Sequence, residues 1–110
     1  MTVAKICELL NLSVVAGKKG MYKEVKGVYI GDLLSLVMAH AKEGDLWLTV
    51  QGHVNSVAVA VLDNLSAIIL VEGIEADEMM KRRADEEKIP ILMVQKSSYE
   101  VVKHLAVLLE

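Results

Sequence analysis

Residues 46–71 read LWLTVQGHVNSVAVAVLDNLSAIILV, and this stretch decides the fold. Leu46 to Val50 is an apolar run of strand length. Val54 to Leu62 is also apolar, and periodicity alone does not separate a buried helix from a strand there. Asn55 and Ser56 give it a polar start, Asp63-Asn64 a polar stop, and small Ala58 and Ala60 would let a helix pack close to a sheet. A helix is therefore expected. Ala67 to Val71 is apolar throughout, as in a central strand covered on both faces. Two such strands joined by a helix form a parallel pair with a right-handed crossover.

Towards the C-terminus the alternation continues. Ala76 to Lys88 reads as a charged helix with Ala76, Met79, Met80 and Ala84 as its apolar positions. Ile89 to Val94 is the next strand, with Pro90 confined to its first residues or to an edge because proline has no N–H to donate. Ser97 and Glu100 form a Ser-x-x-Glu capping box that starts the last helix. That helix is expected to bury Val101, Val102, Leu105, Leu108 and Leu109.

Towards the N-terminus, Thr2 is a plausible cap for a first helix reaching about Leu10. A strand follows from Leu12 to Ala16, then a turn at Gly17-Lys18-Lys19-Gly20. Val25 to Ile30 reads as a second strand, broken by Gly27. Asp32 is the expected cap of a helix over Leu33 to Ala41, and Gly44 the residue closing it. Strand–helix alternation from Leu46 onward makes three βα units. The expected architecture is α/β: a single domain over residues 1–110, with a mostly parallel sheet of about 4–5 strands flanked by helices.

Of the 110 residues, 54% are apolar and 25% charged, which places the chain among packed globular proteins. Aromatic residues make up 4% and Phe is absent, so aliphatic side chains and Met must fill the core. The net charge is −3. Lys18-Lys19 sits in a glycine turn, and Lys81-Arg82-Arg83 is offset by Asp77, Glu78 and Asp85. Neither makes the basic face that nucleic-acid binding needs. Cys7 is the only cysteine, which rules out an internal disulfide and a Cys-rich metal site. It falls among apolar neighbours and reads as a small buried hydrophobe. No apolar run reaches the roughly 18 residues of a membrane span, and the N-terminus lacks the layout of a signal peptide. A cytoplasmic location is expected.

Ligands of open parallel sheets usually bind beyond the carboxyl ends of the strands. Three loops qualify: Gln51-Gly52-His53-Val54-Asn55-Ser56, Glu72-Gly73-Ile74-Glu75, and Gln95-Lys96-Ser97-Ser98. The candidate ligand-binding residues are Gln51, Gly52, His53, Asn55, Glu72, Gly73 and Ser97. A glycine beside a histidine at a strand–helix junction can present backbone N–H groups and an imidazole to an anion or a base edge. The same residues also suit a plain helix start, with Gly52 making the turn and His53 and Asn55 capping. His40 and His104 read as surface or boundary histidines, and the three histidines are too dispersed for a metal pattern. No nucleophile elbow, dinucleotide fingerprint or phosphate-binding P-loop occurs. An acidic pair after the first strand, as in phosphoacceptor receiver domains, is also missing, since that strand ends Val15-Ala16-Gly17.

Taken in order, the chain resembles the DRTGG domain family. The likeness runs through Gly31-Asp32-Leu33-Leu34-Ser35, Gln51 to Leu62, Ile69-Leu70-Val71-Glu72-Gly73, Lys88-Ile89-Pro90-Ile91-Leu92 and Ser98-Tyr99-Glu100. It covers nearly the whole chain. Members occur beside CBS domains and in some phosphotransacetylases, with a fold related to the N-terminal domain of HPr kinase. Stand-alone members, including ones encoded near iron-hydrogenase genes, look especially similar around Gly31-Asp32 and Gln51 to Asn55. The family's Asp-Arg before the central helix is replaced here by His53-Val54. Its Thr-Gly-Gly after the following strand is replaced by Val71-Glu72-Gly73, so only Gly73 survives.

The resemblance implies a regulatory or binding module, often contributing a dimer interface, rather than an enzyme. The residues agree, offering no catalytic constellation and no sign of a cofactor. The expected function is a non-catalytic regulatory or protein-interaction module, homodimeric, acting on a partner that is itself an enzyme. The apolar C-terminus Leu105 to Leu109 and the Met79-Met80 pair suggest the association surface. The alternative is a sensor of a small anion or nucleotide at the 51–56 and 72–75 loops. A third reading, an enzyme with His53 as general base beside Glu72 or Asp32, requires a geometry that only a structure can supply.

Overall fold

A computed structural model describes residues 1–109. The elements run α1 (Val3–Leu10), β1 (Ser13–Ala16), β2 (Gly27–Ile30), α2 (Leu34–His40), β3 (Asp45–Thr49), α3 (Val54–Leu62), β4 (Ala67–Leu70), α4 (Glu78–Glu87), β5 (Ile91–Met93) and α5 (Ser98–Leu108). The ambiguous run at 54–62 is a helix, as its polar boundaries indicated. The strands form one five-stranded sheet in the order β1-β5-β4-β3-β2. Strands β2 to β5 are mutually parallel, and β1 lies antiparallel to β5. The expected α/β architecture with a mostly parallel sheet is what the chain adopts.

The sheet separates two cores. Trp47, Ile68, Leu70 and Ile91 point to one face and meet Val37 of α2, Val57 of α3 and Met80 of α4. Leu46, Leu48, Ile69 and Leu92 point to the other and meet Ile6 of α1 and Leu105 of α5. Strands apolar on both faces are what such a three-layer arrangement requires. No helix among the described residues is long and apolar enough to cross a membrane.

Local signals set most helix ends. The Thr2 hydroxyl accepts from Lys5 N at 3.1 Å, and Asp77 Oδ1 accepts from Met80 N at 2.7 Å. The Ser97–Glu100 capping box forms in full. Pro90 stands just before β5, an interior strand, where its missing N–H costs no ladder bond.

Several expectations are corrected. Asp32 does not cap α2; Leu33 occupies the cap position without a side-chain bond, and Asp32 is drawn instead to the end of β3. Helix α2 ends at His40 with Ala41 extended, so Gly44 (φ 85°) serves the turn into β3 rather than the helix end. Helix α4 begins at Glu78, two residues later than Ala76, where Asp77 supplies a better cap. The Met79-Met80 pair is split, since Met80 is wholly buried while Met79 is exposed. On α5, Val101 and Leu105 are buried, whereas Val102, Leu108 and Leu109 are only half-buried.

Candidate functional site

Helix α4 leaves β4 on the side of α2 and α3, whereas α5 leaves β5 on the opposite side. The carboxyl ends of β4 and β5 therefore diverge, which is where open α/β sheets place their ligand crevice. Two candidate loops flank that point: Glu72-Gly73 after β4 and Gln95 to Ser97 after β5. Here the loops are tied to each other. Glu72 N donates to Lys96 O and Gly73 N to Val94 O, both at 2.9 Å. These bonds require left-handed backbone at Glu72 (φ 61°) and Gly73 (φ 71°). A Cβ on Gly73 would also stand 2.5 Å from Gln95 Oε1. The amides of Glu72 and Gly73 are thus already in use.

The Gln51–Ser56 loop is held in the same way. Thr49 Oγ1 donates to Asp32 Oδ1 at 2.8 Å, and Val50 N donates to the same oxygen at 3.0 Å. Gln51 Nε2 donates to Asp32 O at 2.8 Å. Ser56, wholly buried, donates its hydroxyl to Gln51 O at 2.8 Å. Asp77 N donates to Gly52 O at 2.9 Å, joining this loop to the start of α4. A side chain on Gly52 would collide with the carbonyl oxygen of Glu75. The loop that ends β3 and the loop that precedes α4 are therefore in backbone contact, and only glycine fits between them.

Of the seven candidate residues, Gln51 and Ser97 spend their side chains on internal bonds, while Gly52 and Gly73 allow close approach. His53, Asn55 and Glu72 remain exposed. His53 occupies the cap position of α3, yet its side chain makes no capping bond. The expectation that His53 caps this helix is therefore corrected: its first turn has no side-chain cap. Among the described residues, no His, Cys, Asp and Glu cluster could hold a metal ion.

A groove of about 480 Å³ opens beside this rim, between the C-terminal end of α1 and helix α5. A second depression of about 370 Å³ adjoins it over the β1–β5 edge and shares Leu10, Asn11, Val94 and Lys96 with it. Neither Asn11 nor Lys96 was expected as a site residue; His104 is exposed, as expected of a surface or boundary histidine, and also lines the groove. One signal was present: Ala106 and Val107 add apolar area outside the main stripe of α5, and Val107 is 71% exposed beside this groove.

Cys7 is a buried free thiol whose Sγ donates to Leu12 O at 3.1 Å. Burial pushes its pKa up, away from the reactive thiolate.

The sequence profile of the DRTGG domain matches residues 5–108. No curated protein matches. Among solved structures, the chain is similar to the CBS and DRTGG domains of the regulatory region of Clostridium perfringens pyrophosphatase, a structure complexed with the activator diadenosine tetraphosphate. The TM-score is 0.71 at 13% identity, over 93% of this chain and 44% of that one. This chain spans less than half the length of that structure, and the likeness is one of fold.

Proposed function

The chain belongs to the DRTGG domain family, and we propose that it is a non-catalytic regulatory module that pairs with a second copy and acts on a partner enzyme. Residues 1–110 constitute one such domain in this reading. The observation that carries the pairing is the apolar surface at the β2 edge of the sheet. Ile30 at the end of β2, Leu33 just before α2 and Val50 just after β3 are exposed, Leu33 to 61%, while Leu36 and Met38 are exposed on the two flanks of α2 beside buried Val37. Among the described residues strand β2 pairs with β3 alone, so it forms an edge of the sheet. A two-fold axis beside such an edge brings two copies of the same strand together antiparallel, which makes the surface self-complementary. Four residues of strand supply few hydrogen bonds, so the flanking apolar side chains would provide most of the association energy. The pyrophosphatase domains sit in the regulatory region of an enzyme, which supports action on an enzyme partner. A cytoplasmic setting belongs to the same proposal, and the lone reduced thiol of Cys7 suits a reducing compartment.

Sedimentation at tens of micromolar tests the pairing. A dimer that becomes monomeric with Leu36→Asp, with unchanged far-UV circular dichroism, is the expected result. A monomer in the unsubstituted protein sinks the homodimer part.

A second reading is favoured by the uncapped start of α3. A small anion or nucleotide would sit against its first turn, with His53 and Asn55 beside it and Gln51, Gly52, Glu72, Gly73 and Ser97 forming the surrounding rim. Thermal-shift measurements with ATP, AMP and inorganic pyrophosphate test this. The expected result is a rise in melting temperature that His53→Ala removes; no shift with any of the three rules it out.

A further inference from the structure

The geometry points to a binding site for a small amphiphilic anion, an apolar body carrying one negatively charged head, in the groove between α1 and α5. Its walls are apolar: Leu9, Leu12, Val94, Val101 and Val107 line it. Its polar members are Asn11, Lys96 and His104. Among the described residues no carboxylate lines it, and Lys96 is its one lysine. The carboxylates of the two flanking helices are engaged elsewhere. Glu8 lies 3.8 Å from Lys5, and Glu100 turns back to Ser97 N at 3.2 Å.

The volume, about 480 Å³, falls within the range of small-molecule sites, which are mostly apolar with a few convergent polar groups. Lys96 stands where this groove and the β1–β5 depression join, so one cation serves the mouth of both. A lysine there can meet a carboxylate, sulfonate or phosphate head as a point charge. Leu12 and Val101, both buried, form a floor that a tail or ring can cover. The groove lies next to the diverging ends of β4 and β5, so an occupant would contact the segment that ties those loops together. This inference does not rest on the dimer reading, whose surface is the β2 edge.

Octanoate and octanol, alike in tail and different in charge, are the probes, followed by ¹H–¹⁵N NMR of the full chain. The expected result is saturable shifts with octanoate, confined to amides of residues 9–12, 94–96 and 101–108. Lys96→Gln, at an exposed position, is expected to weaken that binding roughly fivefold while leaving the rest of the spectrum unchanged. Octanol is expected to bind more weakly than octanoate. Equal binding of the two probes, shifts spread over other surfaces, or no saturation would each overturn the inference. Broadening of the same amides without probe, reversed by dilution, would overturn it by assigning the groove to a second copy.

Discussion

Asp32 and Thr49 are joined by a hydrogen bond of 2.8 Å, from Thr49 Oγ1 to Asp32 Oδ1. It fastens the β2–α2 connection to the end of β3 and continues through Val50 N to the rim of the sheet. Thr49 is 1% exposed, so its hydroxyl has no water to turn to. Asp32→Ala is therefore expected to cost about 1–2 kcal/mol, the penalty of a buried donor left without an acceptor. Thr49→Val removes that donor and also the oxygen that accepts from Gln51 N at 3.2 Å, so it should cost a similar amount even though water can solvate the exposed carboxylate. Urea unfolding followed by the fluorescence of Trp47, itself wholly buried, gives both values.

Gly52→Ala should destabilise by about 2 kcal/mol, because the new methyl meets the backbone carbonyl of Glu75, which cannot rotate away. Gly31→Ala is the control. Its methyl meets the Tyr29 ring at 2.9 Å, a side chain that can move. The two midpoints in the same urea titration should separate clearly.

Asp63 ends α3, with Oδ2 buried and unpartnered. Burial raises its pKa above the ordinary value. A carboxyl raised in the folded state contributes stability that is present below its unfolded pKa and lost as pH rises through the folded one. The ionised form at neutral pH therefore weakens the fold, and its charge also opposes the helix C-terminus. Asp63→Asn is expected to stabilise the protein slightly at neutral pH, the effect being reduced by solvent screening of this partly exposed group. The gain should vanish towards about pH 3. Melting temperatures of both proteins across that range test the sign.

Cys7 should react with a thiol reagent in the native protein about 100-fold more slowly than in urea, since attack must await local opening. Its raised pKa means that this protection fades as alkaline pH forces the thiolate to form, and fold stability falls with it. Reaction rates with and without urea, read from released chromophore, check this. Fast native reaction would show that the α1 face opens readily.

The βα units were legible because their signals are local. The capping box at Ser97 and Glu100, the apolar run at 67–71 and the polar bounds of 54–62 each act within a few residues. Thr2 was read correctly for the same reason. Asp32 was misread because a cap residue and a tether to another strand look identical in sequence. Its partner, Thr49, became a neighbour only when β2 and β3 aligned in register. The Met79-Met80 pair failed similarly: adjacent residues on a helix point about 100° apart, so one met the core and the other did not.

By itself, then, the sequence determined an α/β domain, its crossover helices and the family likeness, since periodicity and caps are short-range properties. Tertiary structure alone decided that β1 joins β5 antiparallel and that α4 and α5 leave on opposite faces. It also decided which rim amides are consumed and where the groove beside Lys96 opens. Those features depend on residues far apart in the chain meeting through the sheet, and no short-range pattern encodes which strand edge receives which neighbour.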